Sequence, residues 1–531
     1  MKWARRVALR ALLVAPILLI GQSCTDLTEV PQDALTPKNA FKSDAEVLAG
    51  VAGVYASLRD IYFVGYLGLN EITTDAMIVP TRGNDWYDNG RWLEIHRQTW
   101  TASSGSALDD MNGAWNGLFS GVAKANLIID VITKAGGATA PRTLAELRTL
   151  RAWYYYMLLD MFGSVPIVTG TALKQYPNAT RSEVFAFVEK ELNESRAALP
   201  DKWDAAGYGR LTKGAADAIL ASLYLNAGVF NKNSGVNATS YNTCGVPVSG
   251  GVNGCQAAIT AADRVINSGV YTLSPDWKKN FSLDNETSPE NIFVIVFISD
   301  QALGGNAPMR TLHYNQLDTG WGNPWNGFAT LAETYNAFDP ADERRNMFLQ
   351  GQAYSFQTGL AVKDRAGAPL IFTVDIPDAN AAGEGTGVRF NKFPPLPNAP
   401  YGNGHPNDFP FFRLAEMYLI KAEALNEQGN LAGALTELNR IHSRHFTPPQ
   451  MVTASSQAEM RALILKERLL EFTAEGKRRT DLVRHGHFLD QWSTAMRNGK
   501  QDKRGEPYRI LFPIPATQIS ANPLLKQNPG Y

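Results

Sequence analysis

Apolar side chains recur every three or four residues over most of this chain, and this periodicity limits the possible folds more than any other feature. Val47, Val51, Val54 and Leu58 illustrate it near the start. The spacing matches the 3.6-residue turn of an α-helix and predicts amphipathic helices around a shared core. Helices are predicted over residues 44–58, 111–132, 144–162, 181–199, 212–228, 256–267, 412–428, 431–442 and 457–472. The sequence therefore predicts a mainly α fold.

The predicted helices 412–428 and 431–442 carry small and bulky residues at the offsets of tetratricopeptide repeats. In such repeats, small side chains let two antiparallel helices interlock. The positions are Ala422, Leu425, Gly429, Ala434, Leu438 and Ile441, and a second set is Ala221, Tyr224, Gly228, Ala258 and Ala262. Because residues 231–254 interrupt the second set, we expect a long loop inserted at the turn of one helix pair.

Cys244 and Cys255 lie at this insertion, which is rich in Gly and Asn. In an exported, oxidising compartment we expect them to form a disulfide, and closing such a loop is worth about 3 kcal/mol. Two free buried thiols are the alternative. The pair lacks the partner ligands of a zinc site, and no EF-hand spacing is present. We therefore expect no metal and no cofactor.

The rest of the chain predicts few strands and several long loops. Residues 291–298 form the clearest β-rich run, and residues 304–327 and 377–407 are rich in Gly, Pro and Asn. Long irregular segments within a compact body usually carry function. We expect one composite body with an N-terminal helical region, 24–285, and a C-terminal region, 286–531.

The first residues have the features of a lipoprotein signal peptide. Basic residues precede the apolar run 11–21, which is shorter than the roughly 20 apolar residues of a membrane-spanning helix. Cys24 follows directly and is the expected site of lipid attachment once residues 1–23 are removed. Gly21 departs from the usual signal, which has leucine there. An ordinary secretory signal with a chance cysteine is the alternative.

Charge and aromatic content narrow the class of ligand. With 50 Lys and Arg against 51 Asp and Glu, the net charge of −1 produces no long-range field for nucleic acid or an acidic membrane surface. The near-neutral charge therefore favours neutral ligands over charged polymers. Most of the 11 Trp, 19 Tyr and 24 Phe must belong to the core, but a surplus could line a binding face.

Several segments, in the same order along the chain, resemble motifs of the SusD/RagB family. They are residues 41–46, 53–58, Leu150-Arg151-Ala152-Trp153-Tyr154-Tyr155-Tyr156, Phe162-Gly163-Ser164-Val165-Pro166, 210–216, 413–419, 421–424, 467–468, Glu475-Gly476-Lys477-Arg478-Arg479, 513–515 and 522–531. The resemblance spans nearly the whole mature chain. A small departure is Thr480, where the family pattern has an aromatic residue.

The resemblance implies a SusD-like helical scaffold of tetratricopeptide-like helix pairs with long loops and a few short strands. It also implies a lipoprotein on the cell surface, held in the outer membrane by its lipid anchor only. Such proteins sit over a SusC-like TonB-dependent outer-membrane barrel and deliver oligosaccharides to it. In some members the ligand is a peptide or another nutrient, and that alternative stays open. They are not enzymes.

Two loops have the composition of a carbohydrate-binding face. Sugar rings pack against flat aromatic side chains, while amide and guanidinium groups bind the hydroxyls. Residues 82–92 join tryptophan to Asn, Gly and Arg, and residues 321–326 join it to Asn and Gly, both outside any predicted helix. The expected ligand-binding residues are Trp86, Trp325, Trp92, Trp321, Arg82, Asn84 and Asn326. Any of these tryptophans could instead fix its loop to the scaffold.

Catalytic function is disfavoured. Glu467, Arg468, Glu471, Glu475, Arg478, Arg479 and Asp481 form a mixed-charge cluster. We interpret it as an ion-pair network that fixes the last helices, since the family resemblance covers these residues. A surface glycosidase would need two carboxylates about 5 to 9.5 Å apart across a cleft. Asp85 and Asp88 are the remote candidates, and no catalytic residue is expected.

Overall fold

The structure is a computed structural model that describes residues 41–531, except 42, 104, 138, 301, 302, 320, 321, 401, 493–495, 498, 499, 502 and 504. The chain divides into two units, Met1–Glu46 and Val47–Tyr531. The helices are α1 Asp44–Ile61, α2 Leu69–Glu71, α3 Arg91–His96, α4 Leu108–Ala135, α5 Ala140–Phe162, α6 Arg181–Arg196, α7 Lys213–Leu225, α8 Ala227–Phe230, α9 Gly254–Ile266, α10 Ala307–Thr311, α11 Ala332–Ala337, α12 Leu414–Glu427, α13 Leu431–His442, α14 Gln457–Phe472, α15 Arg478–His485 and α16 Ala516–Ala521. A π-helical segment, Tyr62–Gly68, joins α1 to α2.

The strands are short and form two-stranded antiparallel sheets. They are β1 Asn291–Ile295, β2 Phe348–Leu349, β3 Gly351–Gln352, β4 Ile371–Phe372, β5 Arg389–Phe390, β6 Phe409–Arg413, β7 Met496–Arg497 and β8 Lys500–Gln501. The pairs are β1 with β6, β2 with β5, β3 with β4, and β7 with β8. The prediction of a mainly α fold with few short strands is confirmed.

Each predicted helix is present; α13 and α14 have the predicted bounds, and the ends of the others are shifted by up to four residues. A difference of another kind concerns residues 412–428, whose first two residues belong to β6 instead of α12. Phe412 pairs with Phe293 and Arg413 with Asn291 across the β1–β6 sheet. The predicted strand 291–298 ends at Ile295. Tertiary pairing, which the helical period of the sequence does not report, decides both boundaries.

Helices α4 to α7, α9 and α12 to α14 pack in succession, each against its neighbour in this order. The longest buried run among them is in α5, where every residue from Thr149 to Phe162 is buried. Its Trp153 ring lies 4.5 Å from Phe411 and 5.8 Å from Phe293, so α5 supports the β1–β6 sheet. Among the residues that the structure describes, no single helix is long and apolar enough to cross a membrane; the bent pair 44–61 and 65–71 meets that criterion only jointly.

The tetratricopeptide-like interlock predicted for α12 and α13 is present. Ala422 and Ala434 are fully buried at the contact, together with Leu438 and Ile441. Between the helices, Gly429 adopts φ +80°, a conformation that glycine adopts at little cost. Small side chains at these positions let the two helix backbones approach closely.

The insertion predicted between α7 and α9 packs back onto its own helix pair. Cys244 and Cys255 form a disulfide with an S–S distance of 1.99 Å. A Cβ added at Gly228 would lie 2.2 Å from the carbonyl oxygen of Thr243, so only glycine leaves room for the loop. Asn242 donates a hydrogen bond to the carbonyl oxygen of Val483, which ties the loop to α15.

The mixed-charge cluster is a buried ion-pair network. Arg413 contacts Glu290, Glu471 and Glu475, and each of the four side chains is at most 1% exposed. Arg344 bridges Glu467 and Glu471 from the other side. Burial alone would raise the pKa of Glu471, but Arg413, Arg444 and His445 hold it well below its usual value. The network joins α14 to β6 and to the loop before β2.

Candidate ligand-binding face

The two tryptophan-containing loops meet in the structure. The indole N–H of Trp86 donates a hydrogen bond to the main-chain oxygen of Trp325 at 2.6 Å. Trp86, with φ 61°, and Asn326, with φ 53°, both have left-handed backbone conformations. A Cβ on Gly327 would lie 2.4 Å from the Trp86 ring. Glycine at 327 therefore lets the indole lie directly on the second loop.

An aromatic cluster holds this junction in place. The ring centroids of Trp86, Trp92 and Phe328 are 5.5 to 5.6 Å apart, and Phe63 continues the cluster 5.2 Å from Phe328. Trp92 and Phe328 are buried, whereas Trp86 and Trp325 are partly exposed. The cluster thus has a buried base and two tryptophan rings that reach the surface.

A polar network lies beside the tryptophans. The hydroxyl of Tyr314 donates to Asp85 at 2.5 Å, and Arg365 bridges Asp85 at 3.0 Å and Glu384 at 2.5 Å. The Arg365 guanidinium also stacks on the Tyr314 ring at 4.4 Å. His313 contacts Glu384 at 2.9 Å. Arg365 is half exposed, so solvent and ligands can reach this network from outside.

Burial and neighbouring groups shift the pKa values of two residues in this network, Glu384 and Tyr314. Burial would raise the pKa of Glu384, but hydrogen bonds from Arg365 and His313 lower it to about 2. Burial, with the nearby Asp85 carboxylate, raises the pKa of Tyr314 to about 12. Tyr314 therefore keeps its proton and Glu384 stays ionised at neutral pH.

Three of the predicted ligand contacts, Trp92, Asn326 and Arg82, have buried side chains. Trp92 donates its indole N–H to Asp88 at 2.6 Å and is 4% exposed. Asn326 is fully buried and accepts from Arg389 at 2.9 Å. Arg82 is 2% exposed and donates to the main-chain oxygen of Gly383. The hydrogen bonds of these three side chains fix the loops from below.

The remaining predicted residues differ in whether the structure describes them. Trp86 and Trp325 are partly exposed at the junction, and Asn84 is exposed next to it. Their role in binding stays a prediction. Trp321 and the lipidation site Cys24 lie outside the described residues.

Sequence reasoning missed Tyr314, Arg365 and Glu384. They come from the long segments 304–327 and 377–407 and from the turn between β3 and β4. The composition of the two long segments pointed to function. It did not show that Asp85 pairs with Tyr314 and Arg365, which follow it in the chain by 229 and 280 positions.

The carboxylates considered for a glycosidase are engaged in structural contacts. Asp85 binds Tyr314 and Arg365, and Asp88 accepts the Trp92 indole N–H. Among the described residues, no group of three or more His, Cys, Asp and Glu side chains could hold a metal ion. The arrangement of aromatic rings, amides and paired charges suits binding.

Comparison with protein families is consistent with the geometry. The model described as "SusD family" matches residues 375–531, and the model described as "Starch-binding associating with outer membrane" matches residues 36–225. The chain belongs to the SusD/RagB family. The proteins of the SusD family are non-catalytic binding proteins.

Two curated relatives of this SusD/RagB chain align over most of its length. The starch-binding protein SusD of Bacteroides thetaiotaomicron is 25% identical over 507 residues, which cover 87% of this chain and 84% of SusD. The SusD-like protein P25 of Formosa agariphila is 23% identical over 545 residues, covering 96% and 97%.

Solved SusD-like structures share the fold. A laminarin-binding SusD-like protein superposes with a TM-score of 0.70 at 22% identity, covering 92% of this chain and 100% of that one. Surface glycan-binding protein A from Bacteroides thetaiotaomicron in complex with laminarihexaose superposes with a TM-score of 0.70 at 20% identity, covering 91% and 99%. This chain therefore has the helical scaffold of these SusD-like structures.

Proposed function

We propose that this protein binds oligosaccharides at the cell surface and delivers them to a TonB-dependent barrel of the outer membrane. The observation that carries the binding part is the junction of two loops at which Trp86 and Trp325 are both partly exposed. Asn84 and Arg365 flank it with hydrogen-bond donors.

The junction has the physical properties that sugar binding requires. A pyranose presents a C–H face that packs on an indole, and its hydroxyls need oriented donors and acceptors at the ring edge. Trp86 is held by its hydrogen bond and by the rings of Trp92 and Phe328, so little side-chain entropy is lost when a ligand packs on it.

The relatives support the same class of ligand. One is named for starch, one for laminarin, and one was solved with laminarihexaose. At identities of 20 to 25%, these names support a carbohydrate and leave the particular glycan open. Peptide binding on the same scaffold is the outcome that a negative glycan screen would favour.

The proposed location at the outer membrane is supported by the expected signal peptide and by the family. Lipid attachment at Cys24 would tether the protein to the outer membrane, where two or three acyl chains give stable anchoring. Metabolic labelling with palmitate, in the wild type and in Cys24→Ser, tests the anchor. Co-purification of the full-length lipoprotein with a TonB-dependent barrel from solubilised outer membranes tests delivery.

Binding is tested by calorimetry with the mature protein and a panel of plant, microbial and host glycans. The sharpest variant is Trp325→Ala, since the main-chain oxygen that accepts from Trp86 is retained. Trp86→Ala probes the second ring. Trp203→Ala, a partly exposed tryptophan that stacks on Arg210 elsewhere on the surface, is the matched control.

We expect at least a tenfold loss of affinity in Trp325→Ala and no loss in Trp203→Ala, with circular dichroism spectra unchanged. Equal binding by all variants would mean that glycans bind at another face. Absence of binding to every glycan would contradict the carbohydrate assignment itself, and release of shortened products would contradict a purely binding role.

A further inference from the structure

Arg310 is a cation at the proposed binding face whose side chain packs on aromatic rings. Its guanidinium lies 4.1 Å from the ring centroid of Phe63 and 5.2 Å from that of Trp325. Its Nε donates a long hydrogen bond of 3.4 Å to the side-chain oxygen of Asn306. No acid of the described residues lies within ion-pair distance of it, and the side chain is partly exposed.

The other surface arginines nearby are neutralised. Arg91 pairs with Asp110 in a two-point contact, and Arg365 pairs with Asp85 and Glu384. Asp110 therefore has its own cation, and its charge reaches Arg310 only from beyond ion-pair distance. The positive charge of Arg310 is left over beside Trp325.

Two further arginines, Arg82 and Arg389, are buried beneath the loops of the face. Arg82 is buried, and its Nε and Nη2 atoms have no hydrogen-bond partner. Arg389 lies close enough for each buried cation to disfavour the other. Burial lowers the pKa of Arg310 to about 10, which reflects the cost of keeping this charge among aromatic rings. An anion at the face would offset that cost.

We infer that the oligosaccharide bound at this face carries an anionic substituent, a uronate carboxylate or a sulfate ester, and that Arg310 receives it. The inference rests on the proposed function and adds the class of sugar. A sugar packed at Trp325 has its ring substituents within reach of the guanidinium, because the two side chains are in contact. The planar donor fork of arginine matches a carboxylate or sulfate by two parallel hydrogen bonds.

The net charge of −1 does not conflict with this inference. Net charge sets the long-range field, whereas recognition of one substituent depends on charges within a few ångströms. The sequence-based preference for neutral ligands therefore describes the whole molecule and not this face.

The experiment begins with binding of the mature protein to immobilised polysaccharides in two groups. The neutral group contains starch, laminarin and xylan. The acidic group contains polygalacturonate and alginate, which carry carboxylates, and carrageenan and chondroitin sulfate, which carry sulfate. A polygalacturonate esterified with methyl groups and a desulfated carrageenan keep the sugar backbone and remove the charge.

Three variants separate charge from packing. Arg310→Met keeps the bulk that packs on Phe63 and removes the charge, and Arg310→Lys keeps the charge and removes the fork. Arg345→Met is the matched control, because Arg345 also stacks on an aromatic ring, that of Tyr335 at 4.4 Å, away from the face. Circular dichroism and thermal unfolding check that each variant folds.

We expect an acidic polysaccharide to bind and its uncharged derivative to bind at least tenfold more weakly. Arg310→Met should lose at least tenfold toward the acidic form, Arg310→Lys should fall between, and Arg345→Met should match the wild type. If only the carboxylated or only the sulfated polysaccharides bind, the result identifies which anion the protein recognises. Salt should weaken binding of the acidic form in the wild type and have less effect in Arg310→Met.

Other outcomes overturn the inference in distinguishable ways. If only neutral glycans bind, or if Arg310→Met binds the acidic form like the wild type, the anionic class is wrong while carbohydrate binding stands. If no glycan of either group binds, the proposed function fails together with the inference.

Discussion

Glu71 is a buried carboxyl group whose ionisation opposes folding. The residue is fully buried; one oxygen accepts the Gly476 N–H at 2.6 Å, and the other has no hydrogen-bond partner. Burial raises its pKa to about 8, against the lowering effects of that hydrogen bond and of Lys392 and Arg478. The group is therefore mostly neutral in the native protein at pH 7.

The shift makes stability depend on pH. In the unfolded chain the group has its ordinary pKa of 4.5, so between pH 4.5 and 8 the folded state binds more protons than the unfolded state. Stability consequently falls as the pH rises through this window. At 1.36 kcal/mol per pKa unit, the loss between pH 5 and 7.5 is about 3 kcal/mol. Glu71→Gln keeps the shape and cannot ionise, so this loss should be absent from the variant.

The measurement is urea unfolding of the mature protein, followed by tryptophan fluorescence at pH 5, 6 and 7.5. The free energy of unfolding of Glu71→Gln, relative to wild type, should rise by about 3 kcal/mol from the lowest to the highest pH. Any cost of the unpaired amide N–H is the same at each pH and cancels. Glu286→Gln, at an exposed carboxylate, should show no such trend. A difference between Glu71→Gln and wild type that is constant across the three pH values would refute the reasoning.

Three further predictions concern the scaffold. Gly228→Ala should destabilise the protein by at least about 1 kcal/mol in urea unfolding, because the added Cβ meets a backbone oxygen at 2.2 Å. Gly113→Ala, on an open helix face, should instead stabilise it by up to about 1 kcal/mol. Replacing Cys244 and Cys255 by serine should cost about 3 kcal/mol, measured as a lower unfolding midpoint; an unchanged midpoint would show that packing alone holds the loop. Arg413→Met should cost about 3 to 5 kcal/mol, because it leaves three buried carboxylates short of a cation, and a smaller loss by chemical unfolding would mean that they become protonated at little cost.

The sequence by itself determined the long helices and much of the scaffold. Apolar periodicity is a local property, and the helices it predicted are present. The interlocking of α12 and α13 was also readable, because Ala422 and Ala434 leave room for a close helix contact whatever surrounds them. Composition alone selected the two loops that meet at the junction.

The tertiary structure decided which side of each loop faces solvent. Trp86 and Trp92 are six residues apart and both contact Phe328, yet only Trp92, which lies on α3 and donates to Asp88, is buried. Tyr314, Arg365 and Arg310 join the face through contacts with residues far away in the chain. Exposure and charge pairing depend on such long-range contacts, which local sequence patterns do not contain, and for this reason only the folded protein shows that Arg310 is left without an acid beside Trp325.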